Sequence, residues 1–219
     1  MPPLQMTTQE SRAIGAMVGG AIGDAMGMSQ EIFVTTERSL EEILDTVRRQ
    51  RTARITKGIQ TDYEAGGPWT GMGVTLQRGE WTDDTTMSLC LADSILQMKT
   101  VGVPDLMTKF CDWWFNALNA CGERAVGLGG NIAKALYAFD PRHPHRILGG
   151  TDPSKDAGNG SIMRLAPVPI YWHDDPEEAQ RMARLQTATT HNVPEALDAS
   201  ALMTHTVRDI LLWDTSTST

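Results

Sequence analysis

Trp81-Thr82-Asp83-Asp84-Thr85 places a hydroxyl and two carboxylates on three successive residues at the mouth of a helix candidate. Carboxylates held that close repel one another unless a cation lies between them, and hard oxygen donors of this kind suit Mg²⁺ or Mn²⁺. The spacing therefore points to a divalent metal held by Thr82, Asp83 and Asp84. Helix capping accounts for part of the same cluster, because Thr82 suits an N-cap and both aspartates would favour the positive end of the helix dipole. Both readings stand on these residues alone.

Other constellations are weaker singly. Asp24 sits in a run of small and apolar residues, Gly23 to Met28, where an unpaired carboxylate would be expensive to bury, and Glu31 follows as the better candidate for a base. Gly158-Asn159-Gly160-Ser161-Ile162-Met163-Arg164 reads as a tight turn whose amides could cradle phosphate oxygens, with Arg164 free to pair with an acid or a phosphate. An ordinary loop explains the same residues. Gly127-Leu128-Gly129-Gly130-Asn131 repeats the theme ahead of a helix, and His191 could line a site or cap the helix beginning near Pro194.

The elements that must position these residues are helical. Thr7-x-x-Glu10 has the capping-box pattern and opens a helix predicted over residues 8–28. On it Gly15, Gly19, Gly23 and Gly27 recur every four residues, which predicts a central buried helix with another backbone packed close. A second helix is predicted over 36–50, followed by a long glycine-rich loop over 52–80. Apolar residues at helical spacing, from Met87 to Met98 and from Leu106 to Leu118, predict two more. Helices are also predicted over 130–137, 176–189 and 194–213, before a polar tail at 214–219. With no convincing period-two strands, the chain reads as all-α, a single domain over 1–213.

Composition excludes several classes. The chain has 219 residues and a formal charge of −8, which disfavours nonspecific binding to nucleic acid. Cys90, Cys111 and Cys121 show no C-x-x-C spacing and no even framework, so a reducing compartment is expected and the cytoplasm is the default. No signal peptide is apparent, and the uncharged run over 13–23 is too short to span a bilayer, so no membrane partner is expected.

Taken together, the segments resemble the ADP-ribosylglycohydrolase family, which includes the dinitrogenase-reductase-activating glycohydrolases. The resemblance rests on Gly19-Gly20-Ala21-Ile22-Gly23-Asp24-Ala25-Met26-Gly27 with Glu31, on the 81–85 motif, on the 158–164 motif and on Thr190-His191, in the family's order. It implies an orthogonal all-α bundle with a cleft for two Mg²⁺ ions. Thr82, Asp83 and Asp84 would be metal ligands, with Asp84 and Glu31 in catalytic roles. Gly127, Gly129, Asn131, Gly158, Asn159, Gly160, Ser161 and Met163 would line the diphosphate and ribose site, and His191 would lie beside the adenosine. The implied activity is hydrolysis of the bond between ADP-ribose and a protein side chain or a related conjugate. One departure bears on this: family members carry a second acidic motif of the form Gly-Gly-Asp-Thr-Asp-Thr, and this chain has no Asp-x-Asp. The bundle expected is therefore the family's or a C-terminally truncated version of it. The alternative function is an ADP-ribose reader without turnover, or a structural relative.

Overall fold

The computed structural model describes residues 6–31, 69–71, 74–144, 146 and 149–213. The chain divides into two compact units, one formed by Met1–Ala21 with Thr82–Thr219 and one by Ile22–Trp81. Helix α1 (Thr8–Glu31) contributes to both. Its start is the capping box that the sequence predicts: the Glu10 amide donates to Thr7 Oγ1 at 3.1 Å and the Thr7 amide donates back to Glu10 Oε2 at 2.7 Å.

The glycine ridge of α1 behaves differently from expectation. A Cβ built at Gly15, Gly19, Gly20, Gly23 or Gly27 meets nothing within 4 Å, and Ile14, Val18, Ile22 and Met26 are about half exposed. So α1 is not a central buried helix among the described residues. Spacing of four residues builds a smooth ridge, but it does not supply the partner that would fill it. Asp24 and Met28, in contrast, are buried.

In the second unit, β1 (Trp69–Gly71) pairs antiparallel with β2 (Val74–Leu76), Thr70 opposite Thr75. Among the described residues this hairpin is the one addition to an otherwise helical chain, and it falls within the stretch predicted as loop. The helix predicted over 36–50, most of the 52–80 loop and the 214–219 tail lie outside the described residues.

The first unit is built on α2 (Asp83–Met98), α3 (Val103–Asn116), α4 (Gly130–Ala138), α5 (Pro153–Asp156), α6 (Pro167–Tyr171), α7 (Pro176–Ala188) and α8 (Pro194–Leu212). Proline in the first turn marks the start of five of these, where its missing N–H costs no hydrogen bond. Helices α2 and α3 end on residues in the left-handed conformation, Lys99 and Ala117. The core is one cluster. Met87, Leu91 and Ile95 of α2 meet Leu106, Phe110 and Trp113 of α3, Ile132 and Leu136 of α4, and Met182 of α7. Each such side chain contributes about 1.5–3 kcal/mol when fully withdrawn from water. At the other end of the unit, Arg12 donates to the carbonyls of Leu211 and Trp213, which α8 leaves without helical partners.

Helix α7 carries Gln186 and Thr187 in its last turn, so a firm start to this helix helps to hold both side chains in place. Asp175 caps that helix, its Oδ1 accepting from the Glu178 amide at 3.0 Å. Asp175→Ala is expected to cost about 1 kcal/mol, read as a lower urea midpoint at unchanged m-value, with Asp175→Asn restoring most of it.

Candidate functional site

The first pole of the site is the N-terminus of α2. Thr82 occupies the N-cap position, yet its side chain makes no capping hydrogen bond, and Asp83 and Asp84 form the first turn. Thr82 and Asp83 are buried, while Asp84 is partly exposed. Asp83 fills space that another residue has vacated: a Cβ at Gly127 would lie 1.9 Å from Asp83 Oδ1, and Gly127 has φ +92°. Only glycine satisfies both the conformation and the contact.

Tested as a metal site, the cluster offers two carboxylates and an adjacent hydroxyl, which fit up to three of the six positions of an octahedral hard cation. Among the described residues no group of three or more His, Cys, Asp or Glu side chains is placed to hold a metal. By number and hardness these donors would suit at most one such ion, the rest of whose shell would be water.

The second pole gathers residues from three distant segments. A Cβ at Gly160 would come within 2.9 Å of His191 Cε1 and 3.0 Å of Ile132 Cδ1, and one at Gly158 would lie 3.4 Å from His191 Nε2 and 3.6 Å from Asn131 Nδ2. The turn itself is closed by the Ile162 amide donating to the Asn159 carbonyl at 2.9 Å. Its two ends face opposite ways. Gly158 and Asn159 are exposed, whereas Ser161 and Arg164 are buried and Met163 packs partly buried against the core. The Ser161 hydroxyl meets Ser200 Oγ at 3.4 Å, so that hydroxyl is turned inward.

Arg164 is the clearest correction to the sequence reading. Instead of pairing with an acid or a phosphate it is wholly buried, and among the described residues its partners are neutral. Nε donates to Gln186 Oε1 at 2.8 Å, and Nη2 donates to the Gln186 carbonyl, Thr189 Oγ1 and Thr190 Oγ1 at 3.0, 3.2 and 2.8 Å. The guanidinium also lies 4.6 Å from the centre of the Phe110 ring. Burial pushes its pKa down to about 9.

His191 is buried as well, its Nδ1 at 2.8 Å from Thr190 Oγ1, and the N-cap of α8 is Val193 and not this histidine. Burial first, and then the charge of Arg164, push its pKa down to about 4, against a smaller upward pull from Asp156. Residues 149–150 hold it from the other side: Gly150 forms a parallel bridge with His191, and the Asn192 amide donates to the Gly150 carbonyl at 2.9 Å. A Cβ at Gly150 would strike the Asp156 carboxylate at 2.1 Å, and that carboxylate takes Lys134 Nζ at 3.2 Å. Sequence reasoning passed over Gly149-Gly150, Asp156 and Gln186; the glycine pair was the available signal.

The structure thus brings Asp83 to Gly127, and Asn131, Gly158 and Gly160 to His191. Gly129, the N-cap of α4, stands between Gly127 and Asn131 in the short segment that joins the poles. Glu31 is the last residue of α1, in the other unit.

The model of the ADP-ribosylglycohydrolase family matches residues 5–218. The chain is 32% identical over 192 residues to the ADP-ribosylarginine hydrolase Tri1 of Pseudomonas putida (strain GB-1), covering 88% of this chain and 44% of that one. It is 30% identical over 192 residues to the ADP-ribosyl-[dinitrogen reductase] glycohydrolase of Rhodospirillum rubrum, covering 87% and 54%. A solved structure of an "ADP-ribosylglycohydrolase-related protein complex" aligns with TM-score 0.61 and 27% identity over 94% of this chain and 58% of that one. The described residues are mostly helical, and this chain belongs to the ADP-ribosylglycohydrolase family. It spans about half the length of the curated relatives it matches.

Two outcomes test the site's geometry. Gly127→Ala must adopt a positive φ and displace Asp83, and is expected to cost about 1–3 kcal/mol in urea unfolding. Gly130→Ala, with open space at its Cβ, should be neutral or stabilising. For His191 the sign follows from its depressed pKa: above its ordinary 6.5 both folded and unfolded forms are neutral, and between 6.5 and about 4 only the unfolded form gains a proton. Stability should therefore fall as pH drops through that window, and His191→Gln should flatten the dependence of the thermal midpoint on pH there.

Proposed function

We propose that this chain carries the ADP-ribose site of a magnesium-dependent hydrolase that releases ADP-ribose from modified protein side chains or from a related ADP-ribose conjugate. The observation supporting this most is the short 127–131 segment, which sets its first glycine against the Asp83 carboxylate and its asparagine beside Gly158 and His191. Metal-type oxygens and nucleotide-type donors are thereby linked through five residues of chain. The relatives' names, an ADP-ribosylarginine hydrolase and an ADP-ribosyl-[dinitrogen reductase] glycohydrolase, support the same chemistry.

In this reading Thr82, Asp83 and Asp84 would hold the ion, Mg²⁺ or Mn²⁺, which when bound supplies Lewis acidity toward ribose hydroxyls. The exposed Gly158 and Asn159, with Gly160, would take the diphosphate and ribose through their amides, since glycines let the backbone approach closely. Asn131 and His191 would add donors, and Gly127 and Gly129 would shape the wall. Ser161 and Met163 would act by supporting the turn from beneath. Glu31 is proposed as the base on sequence grounds alone. Departure of the side chain from the anomeric carbon would develop oxocarbenium character, which nearby carboxylates stabilise.

The natural partner is then an ADP-ribosylated protein or a small conjugate, and residues 1–213 are read as one domain on sequence grounds. Cytoplasmic residence is supported by the three cysteines, which offer neither C-x-x-C spacing nor an even framework. Among the described residues no helix is long and apolar enough to cross a membrane.

A second reading, ADP-ribose binding without turnover, draws on the described residues, among which no group of three or more His, Cys, Asp or Glu is placed to hold a metal. Incubation with an arginine-ADP-ribosylated protein separates the two. Release of ADP-ribose that needs Mg²⁺ and falls at least about 100-fold in Asp83→Ala and in Asp84→Ala supports hydrolysis, since even groups behind metal ligands cost 10–100-fold. Binding without release supports the reader, and undiminished release in both variants rejects the metal assignment.

A further inference from the structure

We propose that Arg164 and Thr190 form a positioning relay that fixes His191 in the tautomer carrying its proton on Nε2, so that the ring presents one N–H donor to an oxygen of the bound nucleotide. The inference rests on the reading of this pole as an ADP-ribose site, and its first half stands on hydrogen-bond polarity alone.

A guanidinium can only donate. Arg164 Nη2 donates to Thr190 Oγ1 at 2.8 Å, and that oxygen lies 2.8 Å from His191 Nδ1. Thr190 is fully buried, and its hydroxyl has one proton to place. Were Nδ1 protonated, it would donate to the hydroxyl, whose own proton would then have no acceptor among the described residues. With Nδ1 bare, the hydroxyl donates to it and accepts from Arg164, so the buried hydroxyl is satisfied on both sides. The difference corresponds to a preference of about tenfold or more, because an unsatisfied buried donor is costly. Thr189 shows the same polarity: it accepts from Arg164 at 3.2 Å and passes its own proton to the Gln186 carbonyl at 2.6 Å.

The imidazole is held neutral by its burial and by the charge of Arg164, so the remaining proton sits on Nε2. Among the described residues Nε2 makes no hydrogen bond. It borders the space that a side chain at residue 158 would fill, 3.4 Å from the position of that absent Cβ, with Asn131 Nδ2 at 3.6 Å from the same point. Asn131 spends one proton on the Lys155 carbonyl at 3.4 Å and keeps another. Two N–H donors beside an exposed glycine make a seat for an oxygen acceptor, a phosphate or ribose oxygen, and no seat for a donor. Thr190 is therefore a positioning residue whose effect passes through the histidine.

The test is nitrogen-detected imidazole NMR on the ligand-free chain near pH 7.5. His191 is expected to show its proton on Nε2 alone, with Nδ1 shifted as a hydrogen-bond acceptor. In Thr190→Val the ring should relax to the tautomer mixture of a free histidine and lose the acceptor shift, and ADP-ribose should bind about five- to tenfold more weakly. Thr190→Ser should restore all three. A proton on Nδ1 in the unaltered chain, or an unchanged spectrum in a folded Thr190→Val, overturns the relay. An Nε2–H ring in a chain that does not bind ADP-ribose upholds the relay and rejects the site reading instead.

Discussion

Arg164 is a full charge in the driest part of the first unit, and the surrounding structure is arranged around satisfying it without a carboxylate. Withdrawing an ion from water costs several kcal/mol even after relaxation, so its donors need acceptors. Nε and Nη2 find oxygens on the last turn of α7 and the two threonines after it, and Nη1 faces Met87 Sδ at 3.9 Å. This requirement draws the 158–164 turn onto residues 186–191. Gln186 extends the network, its amide donating to the Ser161 carbonyl at 3.0 Å and to Thr187 Oγ1 at 2.9 Å, while Thr187 donates to Ser200 of α8 at 2.7 Å. Buried polar networks of this kind are unforgiving when one member is lost and specify one geometry when complete.

That geometry has functional consequences because the inner half of the turn fixes the outer half. With Arg164 and Ser161 anchored below, Gly158 and Asn159 are left at the surface and Gly160 is pressed against the His191 ring. Burial, and after it the same cation that builds the turn, keeps the histidine neutral. On the opposite side, Asp83 occupies the vacancy at Gly127, and the chain needs only three further residues to reach Asn131. Both contacts are in this way carried on one short stretch of chain.

Much of this was legible in the sequence, for identifiable reasons. The capping box at Thr7 and Glu10, the prolines at helix starts and the apolar periodicity of α2 and α3 are local signals, and the helices they predict are present within a few residues. Gly127, Gly158 and Gly160 stood out as turns whose amides could cradle phosphate, and a side chain at Gly127 or Gly160 would collide. The glycines of α1 suggested a buried ridge and misled, since among the described residues they meet nothing within 4 Å. A pattern reports the shape of a surface, but not what lies against it. Arg164 was misread because nothing in its neighbours tells whether a guanidinium points outward to a phosphate or inward to hydroxyls. Its partners lie 22–26 residues away, and only the tertiary fold brings them together.

Residues 127–131, 158–160 and 191 are proposed to form one nucleotide surface held in place by Arg164. Titration of ADP-ribose into isotope-labelled chain, followed by amide NMR, tests this without any substitution. Saturable shifts of those three segments with a single dissociation constant are expected, while the exposed face of α8 stays still. Shifts confined elsewhere, or segments that respond with separate affinities, would contradict it.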